Sequence, residues 1–354
     1  MEYRKINIDT ASPSLPKASI LIIYTGGTLG MVYNSKGALE PFDFQQILEK
    51  VPYLRNLGLH LTVISLDELI DSSNVNTVHW KIIGSVIDDN YQQYDGFVVV
   101  HGTDTMAYSA SAMSFMLQDL NKPVIFTGAQ LPIGSARSDA RENLITSLEI
   151  ASAKKDGRPI IPEVCIYFNN HLFRGNRCKK VESIHFDAFM SENYPPLAES
   201  GVEIDFKFSF IKPSDPSCSL SFSFEMDTRV AILKLFPGIS EPIVKQILSI
   251  PDLKGVVLET FGSGNAPTYE WFLNCLKEAV DKNIIVFNVS QCNGGKVMQG
   301  RYKTSSLLDK IGVLSGGDIT TEAAITKMMF LLAQEKAISD VKEKLIFSLS
   351  GEMS

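Results

Sequence analysis

The sequence predicts an α/β protein of two domains: a larger N-terminal one on a mainly parallel sheet with flanking helices, and a smaller C-terminal α/β domain. Three observations carry this expectation. Short apolar runs such as SILIIY (Ser19–Tyr24) and GFVVV (Gly96–Val100) alternate with helix-like segments, the pattern of parallel strands buried on both faces. The alternation lapses in a polar, proline-bearing stretch, KPSDPSCSLSFS at 212–223, and then resumes. At 354 residues and 45% apolar content, the chain can bury one large core or two smaller ones, and two is the expected division.

The elements follow in order. After SILIIY the pattern predicts a helix over 44–51, a strand LHLTVISL (59–66), a helix from about 76 to 90 and the strand GFVVV. A helix over 107–120, the strand PVIFTG (123–128), a helix from about 138 to 153 and a strand in PEVCIYF (162–168) complete the first half. Beyond 168 the chain turns polar and irregular, with adjacent prolines at 195 and 196. Strands RVAILKLF (229–236), GVVLETF (255–261) and IIVFNVS (284–290) follow, with helices near 242–249, 269–281 and 320–333. The expected divisions are an N-terminal extension (1–18), an N-terminal domain (19–211), a linker (212–227) and a C-terminal domain (228–354). No repeat of fixed period and no low-complexity tract interrupts them.

Composition removes several function classes. A formal charge of -7, with no basic block longer than RGNRCKK (174–180), argues against a nucleic-acid partner. No apolar run approaches the ~20 residues of a membrane span, and no secretory apolar segment precedes Ser19, so a cytoplasmic protein is expected. Five scattered cysteines without a CxxC pair fit reduced thiols. The five histidines form no HExxH or comparable ligand set, so neither a metal nor another cofactor is expected.

In open α/β sheets, ligands bind beyond the carboxyl ends of the strands. Those ends read TGGT (25–28), DSSN (71–74), HGTDT (101–105) and TGAQ (127–130), then FGSGNAP and SQCNGG in the second domain. A buried strand needs no polar residue, so hydroxyls and a carboxylate just past two such strands point to a ligand. TGGT lacks the GxxxxGK[ST] spacing of a phosphate loop and is not GxGxxG; alone, it fits a tight strand-to-helix turn equally well. Thr103 and Asp104 in the second turn add a hydroxyl and an anion to the hydroxyl of Thr28. A threonine becomes a nucleophile only when a partner within hydrogen-bond reach takes its proton or lowers its pKa. His101 is expected to be a hydrogen-bonded structural residue.

YTGGTLG, DSSN, HGTDTMAY, FNNHLFRGNRCKK, SGNAP and SQCNGGKV, in this order from Ser19 onward, together resemble the L-asparaginases, and more closely their cytosolic type I branch. The resemblance implies hydrolysis of L-asparagine to L-aspartate and ammonia, with a weaker activity on L-glutamine. Thr28 matches the nucleophile that forms an acyl-enzyme. Thr103, Asp104 and Lys180 match the proton-transfer chain, and Asp71, Ser72 and Ser73 the segment that holds the α-carboxylate and α-amine, with Asp104 close to the ammonium. A homodimer or homotetramer is also implied.

Two departures stand out. Many family members place a tyrosine directly after a glycine on the loop following TGGT, where Gly37 is here followed by Ala38. Tyr33 lies four residues before Gly37, while Tyr302 in GRYKT stands where some cytosolic members bring a tyrosine from the C-terminal domain; Tyr302 is the favoured assignment. In addition, Glu259 occupies the position of an arginine that holds effector asparagine between subunits in some type I enzymes. An acidic residue there repels a carboxylate. Lys179 replaces a small hydroxyl residue of that site, where its cation can form a different pocket or pair with Glu259; Gln130 and Cys292 remain compatible with an effector. Reduced or absent asparagine cooperativity is expected.

Two competing functions remain. A subunit of a tRNA-dependent amidotransferase shares this core, but is expected to carry an additional N-terminal domain and a basic surface. A non-catalytic amino-acid binding or sensor protein would have no need of Thr28, Thr103, Asp104 and Lys180 together.

Overall fold

The computed structural model describes residues 3–8, 16–33, 39–41, 51–215, 217–300 and 303–354. The expected helix over 44–51 lies outside the described residues but for its last position, and Tyr302 lies outside them too. The chain forms two compact units, Met1–Ser191 with Pro195–Phe224, and Glu192–Tyr194 with Glu225–Ser354.

The first unit is organised on a nine-stranded sheet. Its strands are β1 (Tyr3–Ile8), β2 (Ser19–Tyr24), β3 (His60–Leu66), β4 (Gly96–Val100), β5 (Val124–Thr127), β6 (Val164–Phe168), β7 (His171–Arg174), β8 (Ala198–Ser200) and β9 (Ile204–Phe206). Across the sheet they stand in the order β1-β3-β2-β4-β5-β6-β7-β8-β9. The central five, β3-β2-β4-β5-β6, are parallel. Ile20 to Ile23 and Phe97 to Val100 are fully buried, as expected for continuous apolar runs covered on both faces. β1, inside the expected N-terminal extension, adds an antiparallel edge to β3 with Tyr3 opposite Leu66 and Ile8 opposite Leu61. The irregular region after 168 is resolved into the antiparallel strands β7, β8 and β9.

The path of the chain positions the site. From β2 the chain moves to β3 on one side, then returns to β4 on the other, so strand order reverses between β2 and β4. Loops leaving these two strands diverge and open a crevice at their carboxyl ends, the place where doubly wound sheets bind ligands. TGGT and HGTDT are the two loops that leave there.

The connecting helices are α1 (Thr77–Asn90), α2 (Met106–Met116) and α3 (Ala140–Ser152). α1 starts at a capping box: the Asn76 side chain accepts from Val78 N–H, and the Asn76 N–H donates to His79 Nδ1 at 3.1 Å. α2 packs on β6, and α3 on β2, β4, β5 and β6. α2 stops four residues short of the predicted 120. Leu117 and Gln118 leave the helix to pair with Phe222 and Ser221, and Asp119 takes a positive φ of 58°.

The second unit carries four parallel strands, β10 (Val230–Lys234), β11 (Gly255–Thr260), β12 (Ile285–Ser290) and β13 (Leu314–Ser315), in that order. Leu233, Val256, Leu258, Phe272, Leu276 and Val286 fill its core. Helices α4 (Glu241–Leu248), α5 (Glu270–Asp281) and α7 (Thr321–Gln334) match the predicted ones within a residue at each end. α6 (Lys303–Ile311) and α8 (Ile338–Leu345) were not anticipated, since each is short and rich in charged and hydroxyl residues. The architecture is thus the expected one, a large mainly parallel sheet and a separate smaller parallel sheet.

Candidate active site

Three loops meet at the carboxyl ends of the adjacent strands β3, β2 and β4, and glycine lets them meet without side chains between them. Gly26 and Gly27 have φ of 129° and 89°, a region that L side chains rarely adopt. A Cβ on Gly26 would fall 2.5 Å from Ile70 O, and one on Gly27 2.7 Å from Gly102 Cα. A Cβ on Gly102 would in turn lie 2.6 Å from Ser72 Cβ. Backbone therefore packs on backbone at Gly26 and Gly27, and on the Ser72 side chain at Gly102. Hydrogen bonds hold the arrangement: Ile70 N–H donates to Thr25 O at 2.7 Å, and Thr25 Oγ1 to Val100 O at 2.9 Å. Thr105 Oγ1 donates to Ser72 O at 2.7 Å, which joins the loop after β4 to DSSN.

On this frame Thr28 begins a 3-10 turn, Thr28–Gly30, and is half-buried. Among the described residues its hydroxyl has no hydrogen-bond partner. Thr103 and Asp104 follow β4, just before the N-terminus of α2. Lys180, on a two-residue ribbon opposite Phe189, reaches both: its Nζ donates to Thr103 Oγ1 at 2.8 Å and to Asp104 Oδ1 at 2.7 Å. The Lys180 side chain is 17% exposed and that of Asp104 62%, so the cation is sheltered while the carboxylate still faces solvent. Ser72 Oγ stands 3.5 Å from the other oxygen, Asp104 Oδ2.

Asp71 and Ser73 lie at the exposed end of DSSN. Asp71 Oδ1 accepts from the N–H and hydroxyl of Ser73 at 3.0 and 2.9 Å. These bonds, the backbone N–H first, hold the Asp71 carboxyl below the ordinary carboxylate range, so it stays an anion. Ser72, Ser73, Asp71, Thr103, Asp104 and Lys180 are thus on loops that the sheet brings together. Tyr33 ends a short strand, Met31–Tyr33, that pairs with Leu39–Pro41.

Behind the loops lies a polar line that sequence reasoning saw only in part. His101 is buried, its Nδ1 2.7 Å from Gly102 O and its Nε2 3.0 Å from Ser109 Oγ. A carbonyl only accepts, so Nδ1 carries the proton; Nε2 of the neutral ring then accepts from Ser109. Trp80 Nε1–H donates to the same Ser109 oxygen at 2.9 Å. Burial pushes His101 down to about 4, which keeps the ring neutral. Thr25, Thr105, Ser109 and Trp80 were not anticipated as parts of the site. The repeated threonines of the two motifs were the available signal for the first two, while Trp80 and Ser109 sit on helices that sequence alone does not bring together.

Of the residues of the expected effector region, Gln130 and Lys179 lie in the first unit and Glu259 and Cys292 in the second. Gln130 donates through Nε2 to His185 O at 2.9 Å, and Lys179 pairs with Met190 in the ribbon. In the second unit, Glu259 is nearly buried and its carboxylate is engaged there: Oε1 accepts from Thr321 at 2.6 Å, and Oε2 is 3.4 Å from Lys234 Nζ. Cys292 is exposed, and its N–H donates to Ser290 Oγ at 3.0 Å. No cluster of three or more metal-ligating side chains occurs among the described residues.

The family profile for the asparaginase N-terminal domain matches residues 19–211, and that for the glutaminase/asparaginase C-terminal domain matches 229–345. The chain is 39% identical to L-asparaginase 1 of Escherichia coli K12, covering 96% of this chain and 99% of that one. It is 39% identical to the 60 kDa lysophospholipase of Homo sapiens over 96% of its own length, but spans only 62% of that longer protein. The crystal structure of L-asparaginase I from Vibrio cholerae superposes with a TM-score of 0.86 at 39% identity, covering 95% of this chain and 99% of that one. With both domain profiles matched over most of its length, the chain belongs to the asparaginase family and is similar to its type I members.

Proposed function

We propose that this protein hydrolyses L-asparagine to L-aspartate and ammonia through an acyl-enzyme on Thr28, with a weaker activity on L-glutamine. The observation that carries the proposal is the pair of short contacts from Lys180 Nζ to Thr103 and Asp104, beside the glycine turn that presents Thr28. Thr28 Oγ attacks the side-chain amide carbon, its proton passing to a base, and the C–N bond breaks as the departing amide nitrogen takes a proton to leave as ammonia. Water then adds to the ester, and the bond to Thr28 Oγ breaks to release aspartate. The line Lys180 Nζ to Thr103 Oγ1 gives the protons a path. Backbone N–H groups of the two turns serve the oxyanion, where one well-aimed donor contributes ~3 kcal/mol.

Asparagine carries an ammonium and a carboxylate on a short arm. Asp104, with one oxygen on Lys180, meets the ammonium with the other; Asp71, Ser72 and Ser73 form the remaining polar wall. The tyrosine that assists Thr28 is Tyr302 in this reading, and asparagine cooperativity is reduced or absent, with Glu259 and Lys179 standing in place of residues that hold the effector in some type I enzymes. The active assembly is a homodimer or homotetramer. The charge of -7 disfavours the amidotransferase alternative, and the Lys180 cluster is superfluous for a sensor.

The test is a rate series with both amides across substrate concentration, repeated with Thr28→Ala. Ammonia release that drops by ~10³ or more in the variant supports the reading. Full activity in Thr28→Ala removes the nucleophile assignment, and no release from either amide by the native protein removes the function.

A further inference from the structure

A second cleft in the first unit lies apart from the loops that carry Thr28, Thr103 and Lys180. Its volume is about 420 Å³, within the ~300–1,000 Å³ of small-molecule sites. Three cations line it, Lys155, Arg158 and Lys212, against one carboxylate, Asp156. None of the three forms an ion pair among the described residues. The chain around them is a net anion of -7, and the neighbouring lysines do find partners: Lys154 pairs with Asp95 at 2.9 Å, and Lys207 with Asp205.

Local structure explains why these cations converge. Lys154–Lys155 and Arg158–Pro159 form a hairpin, turned by Asp156 and Gly157 at φ of 53° and 77°. Alternation along the strand sends Lys154 to Asp95 and Lys155 toward Phe208, whose ring centroid is 4.2 Å from the Lys155 ammonium. The opposite wall is held by the buried pair of Arg174 and Glu163. Glu163 Oε1 accepts the Lys212 N–H at 2.6 Å, and Arg174 Nη2 donates to Phe210 O at 3.0 Å. Lys212 therefore stands on backbone anchored from inside, while Lys155 and Arg158 are placed by the pairing of their hairpin.

Pro159, Ile160, Ile211, Pro213, Ser214 and Phe208 complete the lining, Phe208 being 52% exposed. Concentrated positive charge facing an aromatic and proline-lined wall suits a ligand with several negative charges and a flat ring. We propose that this cleft binds a nucleoside di- or triphosphate, its phosphates on Lys155, Arg158 and Lys212 and its base against Phe208.

Calorimetric titration of the full-length protein with ATP, inorganic tripolyphosphate and adenosine tests this. The expected order is ATP tighter than tripolyphosphate and no detectable adenosine binding, with one ATP per chain and affinity falling as salt rises. The triple variant K155A/R158A/K212A weakens ATP at least tenfold, and Phe208→Ala brings ATP down to the affinity of tripolyphosphate. Neither set changes ammonia release from asparagine measured without nucleotide. Absence of ATP binding at millimolar concentration, equal affinity for ATP and tripolyphosphate, or unchanged binding in the triple variant each overturns the proposal.

Discussion

Lys180 Nζ and Asp104 Oδ1 stand 2.7 Å apart although 76 residues separate them in the chain. The sheet brings them together: Asp104 follows β4 at its carboxyl end, and Lys180 follows the β6-β7 hairpin, two strands away in the sheet. Because the same ammonium also touches Thr103 Oγ1, one cation fixes both the hydroxyl and the carboxylate. Removing it is expected to affect chemistry more than binding. Lys180→Met should lower kcat for asparagine by ~10²–10³ while KM changes only a few-fold. Steady-state ammonia release checks this, and a variant with near-native kcat would remove Lys180 from the proton path.

The tyrosine assignment separates by two substitutions. On the proposed assignment, Tyr302→Phe should reduce turnover ~10²-fold or more, and Tyr33→Phe should leave it within a few-fold. Single-turnover measurements of acylation read the step directly. Greater damage from Tyr33→Phe would move the role to the loop after TGGT.

His101 predicts a pH dependence of stability. Its folded value of about 4 lies below the ordinary 6.5, so the unfolded chain binds more protons between those values. Stability from the neutral, buried ring is therefore full above about pH 6.5 and is lost as the pH falls toward 4, by about 3 kcal/mol in all. Chemical denaturation midpoints from pH 7.5 to 4 check it. In His101→Gln this part of the slope should disappear, whereas a slope unchanged by the substitution would assign it to carboxylates.

In the second unit, Lys327 and Glu352 form a fully buried pair at 2.7 Å. Lys327 also donates to Leu345 O at 2.9 Å, and Glu352 accepts from the Leu349 and Ser350 N–H groups, so the pair ties the segment after α8 to α7. Lys327→Met leaves a buried carboxylate without its cation and should cost ~3–5 kcal/mol. Replacing both partners, Lys327→Met with Glu352→Leu, should cost less than the single change. Thermal unfolding of the native protein and the two variants measures the difference, and a double variant less stable than Lys327→Met would overturn the expectation.

Glu259 predicts the shape of the rate curve. Its carboxylate is already held by Thr321 and Lys234, and the proposal of reduced or absent asparagine cooperativity rests on an acid at this position. Rates against asparagine should follow a hyperbola with a Hill coefficient close to one. A clearly sigmoidal curve would overturn this expectation.

The sequence by itself determined the fold class, because continuous β-branched runs such as SILIIY and GFVVV have few stable places other than a parallel sheet covered on both faces. It also brought forward Thr28, Asp71, Ser72, Thr103 and Asp104, since each lies within a few residues of a strand's carboxyl end and a strand end is a local property of the chain. Lys180 was different: it has no strand-end position, and its residue type is commonest on solvated surfaces, so only the family pattern singled it out. Its 2.8 Å contact with Thr103 exists because sheet order, not sequence spacing, sets which loops adjoin. The Trp80, Ser109 and His101 line was illegible for the same reason, with its members on two helices and a strand end that meet only when packed. The end of α2 at Met116 was a contest between helix propensity and a distant partner strand at 221–222, and such a partner becomes available only in the folded chain. Local pattern therefore placed the chemistry on the strand ends. Long-range packing alone decided which hydroxyl, carboxylate and ammonium share hydrogen bonds, because those bonds are short, directional and between residues far apart in sequence.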